Sequence, residues 1–282
     1  MLVRALTFLA GRFVAGDDVD DAIEAVRALN DAGLKVTLDN LGEDSLDKAH
    51  ALVAAEENIL MLRRIAEAGV DSNISLKLTQ LGLSFDEGLA KENLLRIIAE
   101  AEKTKNFVRI DMESSAWTQK TLDLFYGLHE KHPGVGIVLQ ASLRRTEADV
   151  KDAVARRVRV RLCKGAYKES SSVAFPDKKD VDANYDRCAA LLTKAPIPAF
   201  ATHDDARIST ALAACDKAGL VKSDYELQML YGLRAKRWTE LREKGHTVRI
   251  YVPYGTHWFP YFYRRIRERK ENLLFVLRNL FE

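Results

Sequence analysis

The chain has 282 residues, of which 47% are hydrophobic and 30% charged, so it can bury a large core as one α/β barrel or two average domains. Its 43 basic and 41 acidic residues give a net charge of +2, which argues against a nucleic-acid-binding surface. No apolar run reaches the roughly 18 residues of a membrane span, and three widely spaced cysteines without metal-ligand spacing favour a reducing compartment.

Residues 1–33 are predicted to form two leading helices, and Gly33 is a stop signal for the second. Arg4 and Arg12 interrupt the apolar residues of the first helix, which argues against a signal peptide. Apolar strand patterns and helical patterns then alternate along residues 34–256. The predicted strands lie at 35–43, 73–83, 107–115, 135–143, 157–167, 198–204, 225–232 and 247–255.

This alternation predicts a (βα)8 barrel of the TIM type. A doubly wound open sheet is the structural alternative, but it usually has fewer strands, and no glycine-rich dinucleotide-binding fingerprint follows the first strand. The one long connection, 168–182, lies between a strand and its helix. We therefore expect a single domain over 1–282, with the barrel at 34–256 and a C-terminal helix at 257–282.

Polar side chains lie at or near the end of every predicted strand. In a parallel barrel the active site forms at the C-terminal ends of the strands, so we expect these side chains to share a site, although polar residues flank strands in any protein. Some of them follow apolar segments directly, where an unpaired charge would be costly. The set comprises Asp39, Glu43, Lys77, Asp111, Glu113, Gln140, Arg144, Arg161, Lys164, His203, Asp204, Gln228 and Tyr251.

The charges of this set are mixed, which suits an anionic or zwitterionic small molecule better than a bare cation. His203 lacks the paired ligands of a catalytic zinc, so we expect no metal. Gly165 and Ala166 end the fifth strand and allow a flat or phosphorylated ligand to approach the backbone closely. An ordinary strand-ending glycine is the alternative interpretation.

The C-terminal segment is aromatic and basic. Pro253 and Gly255 are predicted to end the last strand, and a helix is predicted to begin near Trp258. Arg264 and Arg265 offer two neighbouring guanidinium groups to a carboxylate or phosphate. A solvated basic helix face is the alternative, and we keep that interpretation for the remaining basic residues of the helix: Arg267, Arg269 and Lys270.

Eight motifs, in order, resemble the proline dehydrogenase family, including the proline dehydrogenase domain of bifunctional proline-utilisation proteins. They are TLDNLGE, SLKLTQLG, RIDMES, VLQASLRR, VRLCKGAYKE, ATHD, ELQMLYG and RIYVPYGTHWFPYFYRRIRERKEN, within residues 5–282. The resemblance implies a distorted (βα)8 barrel with non-covalent FAD and the last helix over the strand ends. It also implies oxidation of L-proline to Δ1-pyrroline-5-carboxylate, with electrons passing from the reduced flavin to a membrane quinone.

The resemblance assigns roles to individual residues. Arg264 and Arg265 would bind the proline carboxylate, Glu43 would pair with Arg264 as a gate, and Asp111 would hydrogen-bond Tyr251. The residues assigned to substrate and catalysis are Lys77, Asp111, Tyr251, Tyr261, Arg264, Arg265, Leu230, Glu43 and Glu268. The residues assigned to FAD are Gln140, Arg161, Leu162, Lys164, Gly165, Ala166, Tyr167, Thr202, His203 and Gln228, with Arg161 near flavin N5.

Two positions depart from the family pattern and make the adenosine contacts less defined. Asp204 replaces an asparagine often found after the histidine, and Arg269 lies where bifunctional relatives have an asparagine after Glu268. The chain also lacks their DNA-binding and second dehydrogenase domains, so we expect a monofunctional enzyme with pyrroline-5-carboxylate dehydrogenase as a separate partner. We expect it in the cytoplasm, and weak peripheral association with the inner face of the bacterial membrane stays open.

Two other functions fit parts of the pattern. An aldolase-type barrel would use Lys77 or Lys164 to form a Schiff base with a carbonyl substrate. A non-enzymatic binding module would use the basic C-terminal run on an acidic partner or membrane surface. A flavin spectrum that bleaches with proline would separate the main interpretation from both.

Overall fold

The computed structural model describes residues 13–42 and 44–258. Within them, eight strands close into a barrel in which each strand follows its predecessor in the chain. The strands are β1 (Lys35–Asn40), β2 (Ser72–Leu76), β3 (Val108–Ile110), β4 (Val135–Gln140), β5 (Val160–Cys163), β6 (Ala199–Ala201), β7 (Glu226–Leu230) and β8 (Val248–Tyr254). The helices are α1 (Val19–Asp31), α2 (Lys48–Ala68), α3 (Glu87–Lys103), α4 (Ser115–His129), α5 (Thr146–Ala155), α6 (Lys178–Leu192), α7 (Asp205–Lys217) and α8 (Ala235–Glu243). The predicted barrel is confirmed.

All eight strands end earlier than the sequence predicts, by one to seven residues. β2 ends at Leu76 and β3 at Ile110, so Lys77 and Asp111 directly follow their strands. A loop residue is not constrained by the hydrogen bonds of the sheet, whereas the preceding strand fixes the position of its backbone. Two charged residues of the predicted site therefore lie directly after these two strands.

β8 continues through Pro253 and ends at Tyr254, so the strand stops directly before Gly255, as predicted, but Pro253 does not break it. Proline cannot donate a backbone hydrogen bond, but its carbonyl accepts one from Ala15 N at 2.9 Å. The next carbonyl, of Tyr254, accepts one from Leu41 N at 2.8 Å. The strand contributes acceptors here, and the missing donor is tolerated near its end.

Helix α6 begins at Lys178, so residues 178–182 of the predicted long connection are helical. Its charged first turn conceals the helix in the sequence, whereas Val181, Tyr185 and Cys188 form a buried face at helical spacing. Asp182 is therefore held on a regular element, which matters for its contacts below.

The described residues fall into two compact units. The first comprises residues up to Val108, Leu230–Thr239 and residues from Ile250 onward, and the second comprises Arg109–Met229 and Glu240–Arg249. The expectation of a single domain stays a prediction. Among the described residues, no helix combines the length and the apolarity needed to cross a bilayer.

In the first unit, helix α1 buries the residues whose spacing predicts it, namely Ala22, Ile23, Val26 and Leu29. Asp18 caps the helix by accepting from the backbone N–H groups of Asp20 and Asp21 at 2.9 and 3.0 Å. Each fully buried aliphatic side chain contributes about 1.5–3 kcal/mol by leaving water. Apolar packing thus holds α1, and the cap defines its start.

In the second unit, charged and apolar residues alternate along the strands. Val160 and Leu162 of β5 are fully buried and flank Arg161, and successive side chains of a strand point to opposite faces. In β7, Glu226 and Gln228 are two residues apart, so their side chains point to the same face of the strand. Strands β5, β6 and β7 pair in parallel, which brings these polar faces together. One face of this part of the barrel is consequently charged although it is buried.

Candidate active site

Five of the predicted site residues lie outside the described part of the chain, so their roles stay predictions. They are Glu43, Tyr261, Arg264, Arg265 and Glu268. The remaining predicted residues are described within one of the two units.

In the first unit, Lys77 forms an ion pair with Asp39. The Lys77 ammonium lies 3.0 Å from both carboxylate oxygens of Asp39, which is fully buried, whereas the lysine side chain is 18% exposed. Parallel pairing of β1 with β2 places Asp39 opposite Ser75, two residues before Lys77 and on the same face. Asp39 therefore fixes the position of the ammonium at the end of β2.

The backbone on either side of position 43 is tied to the segment after β2. Thr79 donates its hydroxyl to Asp44 at 2.8 Å, and Ser45 N donates to Thr79 O at 3.2 Å. At Gly42 an added Cβ would lie 2.8 Å from Gln80 Nε2, so a side chain there would force a shift. These contacts fix the neighbours of the proposed gate residue.

Two further predicted substrate residues lie close together in the first unit. Leu230 ends β7, and the next residue, Tyr231, donates its N–H to the carbonyl of Tyr251 in β8 at 2.9 Å. Leu230 and Tyr251 are both half-buried. An aliphatic and an aromatic side chain at neighbouring strand positions suit the apolar ring of a small substrate.

In the second unit, Arg161 of β5 contacts Gln228 within β7 and Asp111 directly after β3. Its Nε donates to Gln228 Oε1 at 2.6 Å, and its Nη1 donates to Asp111 Oδ1 at 2.8 Å. The guanidinium group is buried, with only 6% of the side chain exposed. Two charge-assisted hydrogen bonds on different edges hold the planar group in one orientation. The predicted contact of Asp111 with Tyr251 stays a prediction.

Gln140 and Gly165 are neighbours at the ends of β4 and β5. Gly165 has a φ of +101°, and an added Cβ would lie 2.3 Å from Ser142 Oγ and 3.3 Å from Gln140 Cβ. Only glycine fits this backbone and this space. Gln140 in turn donates its amide to Glu113 O at 2.7 Å. The close approach of Ser142 thus explains why glycine is required at position 165, and the sequence alone cannot show this contact.

Lys164 is held by two carboxylates. Its ammonium lies 2.5 Å from Asp182 Oδ1 and 2.7 Å from Asp204 Oδ2. Burial by itself raises the pKa of Asp204. The hydrogen bond and charge of Lys164, with the Ala206 N–H, outweigh that effect and lower the pKa to about 2. The aspartate that departs from the family pattern is therefore the ionised partner of Lys164.

The remaining predicted flavin residues have different degrees of burial. Leu162 is fully buried and Thr202 is buried, with the Thr202 hydroxyl accepting from Asp204 N at 3.1 Å. Ala166 and His203 are half-buried, and Tyr167 is exposed. A ligand at these strand ends can therefore reach Ala166, His203 and Tyr167 more readily than the side chain of Leu162.

The loop after β5 is anchored by a residue that the sequence analysis assigned no role. Glu169 accepts hydrogen bonds from the backbone N–H and the hydroxyl of Ser115 at 2.7 and 2.5 Å. Ser115 is the first residue of α4, so Glu169 satisfies a donor at the start of that helix. The only signal in the sequence is the position of Glu169 within the VRLCKGAYKE motif.

A sequence model of the family described as "Proline dehydrogenase" matches residues 22–278. Proline dehydrogenase 2 of Bacillus subtilis strain 168 is 42% identical over 272 residues, which are 96% of this chain and 90% of that protein. The chain belongs to the proline dehydrogenase family. Proline dehydrogenase of Deinococcus radiodurans, with 38% identity over 278 residues, covers the same shares of the two chains.

Longer proteins match this family member at lower identity. The bifunctional protein PutA of Escherichia coli K12 is 26% identical over 320 residues, and the chain covers 24% of it. A crystal structure of proline utilization A from Bdellovibrio bacteriovorus, inactivated by N-propargylglycine, superposes with a TM-score of 0.90. It is 24% identical, and the match covers 97% of this chain and 34% of that longer chain. The predicted resemblance and the predicted barrel are both confirmed. The predicted first leading helix and nearly all of the predicted C-terminal helix, at 257–282, lie outside the described residues.

Membership of the proline dehydrogenase family fixes the class of reaction. Enzymes of this family are oxidoreductases that act on a CH–NH donor, and their reaction belongs to proline catabolism. Neither a Schiff-base aldolase nor a non-enzymatic binding module is consistent with this membership. The predicted enzyme class is confirmed.

Proposed function

We propose that the protein oxidises L-proline to Δ1-pyrroline-5-carboxylate and passes the electrons through non-covalently bound FAD to a membrane quinone. The observation that carries the proposal is the buried guanidinium group of Arg161, which donates hydrogen bonds to both Gln228 and Asp111. In a member of the proline dehydrogenase family, such a fixed cation suits a flavin that becomes negatively charged on reduction. When bound, the flavin would accept the two electrons that are removed from the CH–NH group of the substrate. The protein supplies orientation and charge.

The donor groups of the second unit fit a flavin dinucleotide. Arginine stays protonated in proteins, so Arg161 presents a permanent positive charge that favours the negative charge of a reduced isoalloxazine. Lys164 donates one hydrogen bond to Asp204 and forms an ion pair with Asp182, and an ammonium group with three N–H donors can also donate to a cofactor oxygen. Gly165 gives a close backbone approach beside Gln140. We extend the same role to the rest of the predicted set, Leu162, Ala166, Tyr167, Thr202, His203 and Gln228.

The substrate is bound through its carboxylate and its ring. Arg264 and Arg265 bind the carboxylate in this proposal, and Glu43 pairs with Arg264 as the gate. Lys77 lies beside the substrate, positioned by Asp39. The ring lies against the aromatic and aliphatic side chains, and Asp111 and Glu268 complete the polar surroundings. The ring contacts are Leu230, Tyr251 and Tyr261.

The proposed reaction also defines partners and location. A quinone dissolved in a bilayer is reached by peripheral contact, so we place the protein in the cytoplasm with weak association at the inner face of the bacterial membrane. The product, an imine carboxylate, would be consumed by a pyrroline-5-carboxylate dehydrogenase. The quinone contact and the use of the product by a second enzyme both depend on the redox function proposed above.

An absorbance spectrum before and after substrate tests the function. We expect the purified protein to show visible flavin bands that bleach under anaerobic conditions on addition of L-proline, whereas D-proline leaves them unchanged. Failure to retain FAD after reconstitution, or bands that persist with L-proline, would contradict the proposal.

A further inference from the structure

A chain of buried hydrogen bonds leads to Arg161 from β8. Arg249 Nε and Nη2 donate to Glu226 Oε2 and Oε1 at 2.9 and 2.8 Å, a two-pronged ion pair. Gln228 Nε2 donates to Glu226 Oε2 at 2.8 Å, and Gln228 Oε1 accepts from Arg161 Nε at 2.6 Å. We call these four residues the hydrogen-bond chain. All of them are at most 5% exposed.

The two ends of the hydrogen-bond chain dictate the orientation of the Gln228 amide. A carboxylate can only accept hydrogen bonds, and a guanidinium group can only donate them. Gln228 lies between one of each, so its NH2 group must face Glu226 and its carbonyl oxygen must face Arg161. A turned amide would place two donors against each other at Arg161. The charge on Glu226 thus determines which atom Arg161 meets.

Glu226 keeps that charge although it is buried. Burial by itself raises the pKa of Glu226. That effect is outweighed by the charge and hydrogen bonds of Arg249, the charge of Arg109 and the hydrogen bond of Gln228, which lower the pKa to about 2. Arg109 is itself fixed, because its Nη1 donates to the carbonyls of Ile137 and Arg159 at 3.2 and 2.6 Å. Glu226 is therefore an obligate acceptor throughout the pH range in which enzymes of metabolism work.

We infer that Glu226, held by Arg249, is a positioning residue for Arg161, acting through the oriented amide of Gln228. The inference rests on the proposed function, which places Arg161 beside the flavin. Neither Glu226 nor Arg249 belongs to the predicted substrate or flavin contacts. Their effect on the flavin is exerted through the orientation of Arg161, which decides how closely its positive charge approaches the reduced ring.

The first test replaces both members of the ion pair, in the variant Glu226→Leu/Arg249→Met. Removing both charges leaves no unpaired partner within the pair, and such apolar replacements are often tolerated. The Arg161 Nε–H signal is followed by NMR on flavin-free protein and is assigned by its loss in Arg161→Lys. We expect its hydrogen exchange to become at least about tenfold faster in the pair variant, because Gln228 can then turn.

The second test measures the flavin itself. In the pair variant we expect the equilibrium between oxidised and reduced flavin to shift about tenfold toward the oxidised form, which corresponds to about 30 mV for a two-electron couple. The rate of flavin reduction by proline should fall by a similar factor, while KM for proline stays within about twofold. A general structural defect would not leave KM unchanged while moving the potential.

Two further variants isolate the path through Gln228. Gln228→Met retains the Glu226–Arg249 pair but cuts the hydrogen-bond chain, and it should also release the Arg161 Nε–H. Adding the pair replacement to Gln228→Met should have no further effect, since residues in one chain are not additive. The matched control is Glu100→Leu/Arg63→Met, which removes another two-pronged carboxylate–arginine pair, between α3 and α2. It should change neither exchange nor potential.

Wild-type exchange and potential in the folded pair variant would overturn the inference. If the pair variant does not fold, an unchanged Arg161 Nε–H in Gln228→Met overturns it instead. The exchange measurement needs no flavin, so it tests the positioning of Arg161 independently of the proposed redox function. Wild-type protein that binds no flavin, or whose flavin proline does not reduce, would refute the proposed function while the positioning of Arg161 is still tested.

Discussion

Asp39 and Lys77 form a buried ion pair whose two members contribute very differently to stability. We predict that Asp39→Asn lowers the free energy of unfolding by about 3 kcal/mol, because it removes a buried carboxylate that pairs with the part-buried Lys77 ammonium. Urea unfolding measures this loss. Adding Lys77→Met should restore most of it, since the part-buried cation is then removed together with the carboxylate that pairs with it.

The control for this prediction is an exposed ion pair in the same unit. Asp71 lies 3.2 Å from Lys35, with 55% and 45% of the side chains exposed, so Asp71→Asn should change the unfolding free energy by less than about 1 kcal/mol. Equal losses for the two aspartate variants would show that burial of Asp39 is not the cause.

Glu226 gives the protein a stability that depends on pH. Its pKa is about 2 in the folded protein against an ordinary value of 4.5, so the unfolded chain binds a proton first as the pH falls. Its contribution is complete above pH 4.5 and is lost as the pH falls toward 2. The stability gap between wild type and Glu226→Gln should therefore narrow by about 2 kcal/mol from pH 6 to pH 3. A constant gap in urea unfolding would contradict this.

At the scale of residues, the sequence predicts which side chains gather at strand ends but not how they pair. Arg161, Gln228 and Asp111 were assigned to the site from motifs, and the structure joins them. The sequence predicts Asp39 only as a strand-end carboxylate, and it predicts no role for Glu226. Ion pairs between strands depend on register, which periodicity along one strand does not contain.

At the scale of elements, Glu169 links the loop after β5 to the start of helix α4. We predict that Glu169→Ala lowers the unfolding free energy by about 1 kcal/mol, as the loss of a helix cap does, and weakens FAD binding because the loop carries Lys164 and Gly165. Urea unfolding and a flavin titration measure the two effects.

Asp86 provides the matched control for Glu169. It caps α3 by accepting from Leu89 N at 2.9 Å, and it has no proposed role in the site. Asp86→Ala should cause a similar loss of stability and leave FAD affinity unchanged. If both variants weaken FAD binding equally, general destabilisation is the cause and the loop anchor is not.

Element boundaries show where local patterns fail. The order and type of the described elements follow the sequence prediction, but β8 passes through Pro253 and α6 begins within a predicted loop. In both cases long-range contacts decide the boundary: backbone donors from Ala15 and Leu41 flank the end of β8, and the buried side of α6 stabilises its charged first turn. Such contacts leave no local pattern.

At the scale of the whole molecule, alternation of strands and helices was enough to predict the barrel, because few folds accommodate eight such units. The family followed from motif order, and the comparisons confirm it. The assignment of the cofactor as FAD is a different kind of statement, since a barrel of this type accommodates many ligands. It requires a measurement on the intact protein.

Binding linkage provides that measurement. A ligand that binds only the folded protein stabilises it by about 2.7 kcal/mol when present at 100 times its dissociation constant. For protein stripped of flavin, we predict that saturating FAD raises the melting temperature by roughly 5–10 °C. FMN lacks the adenosine half and should give a smaller shift at the same concentration. Equal shifts with FAD and FMN would show that the adenosine half makes no net contribution, and no shift with either would remove the flavin from the proposed function.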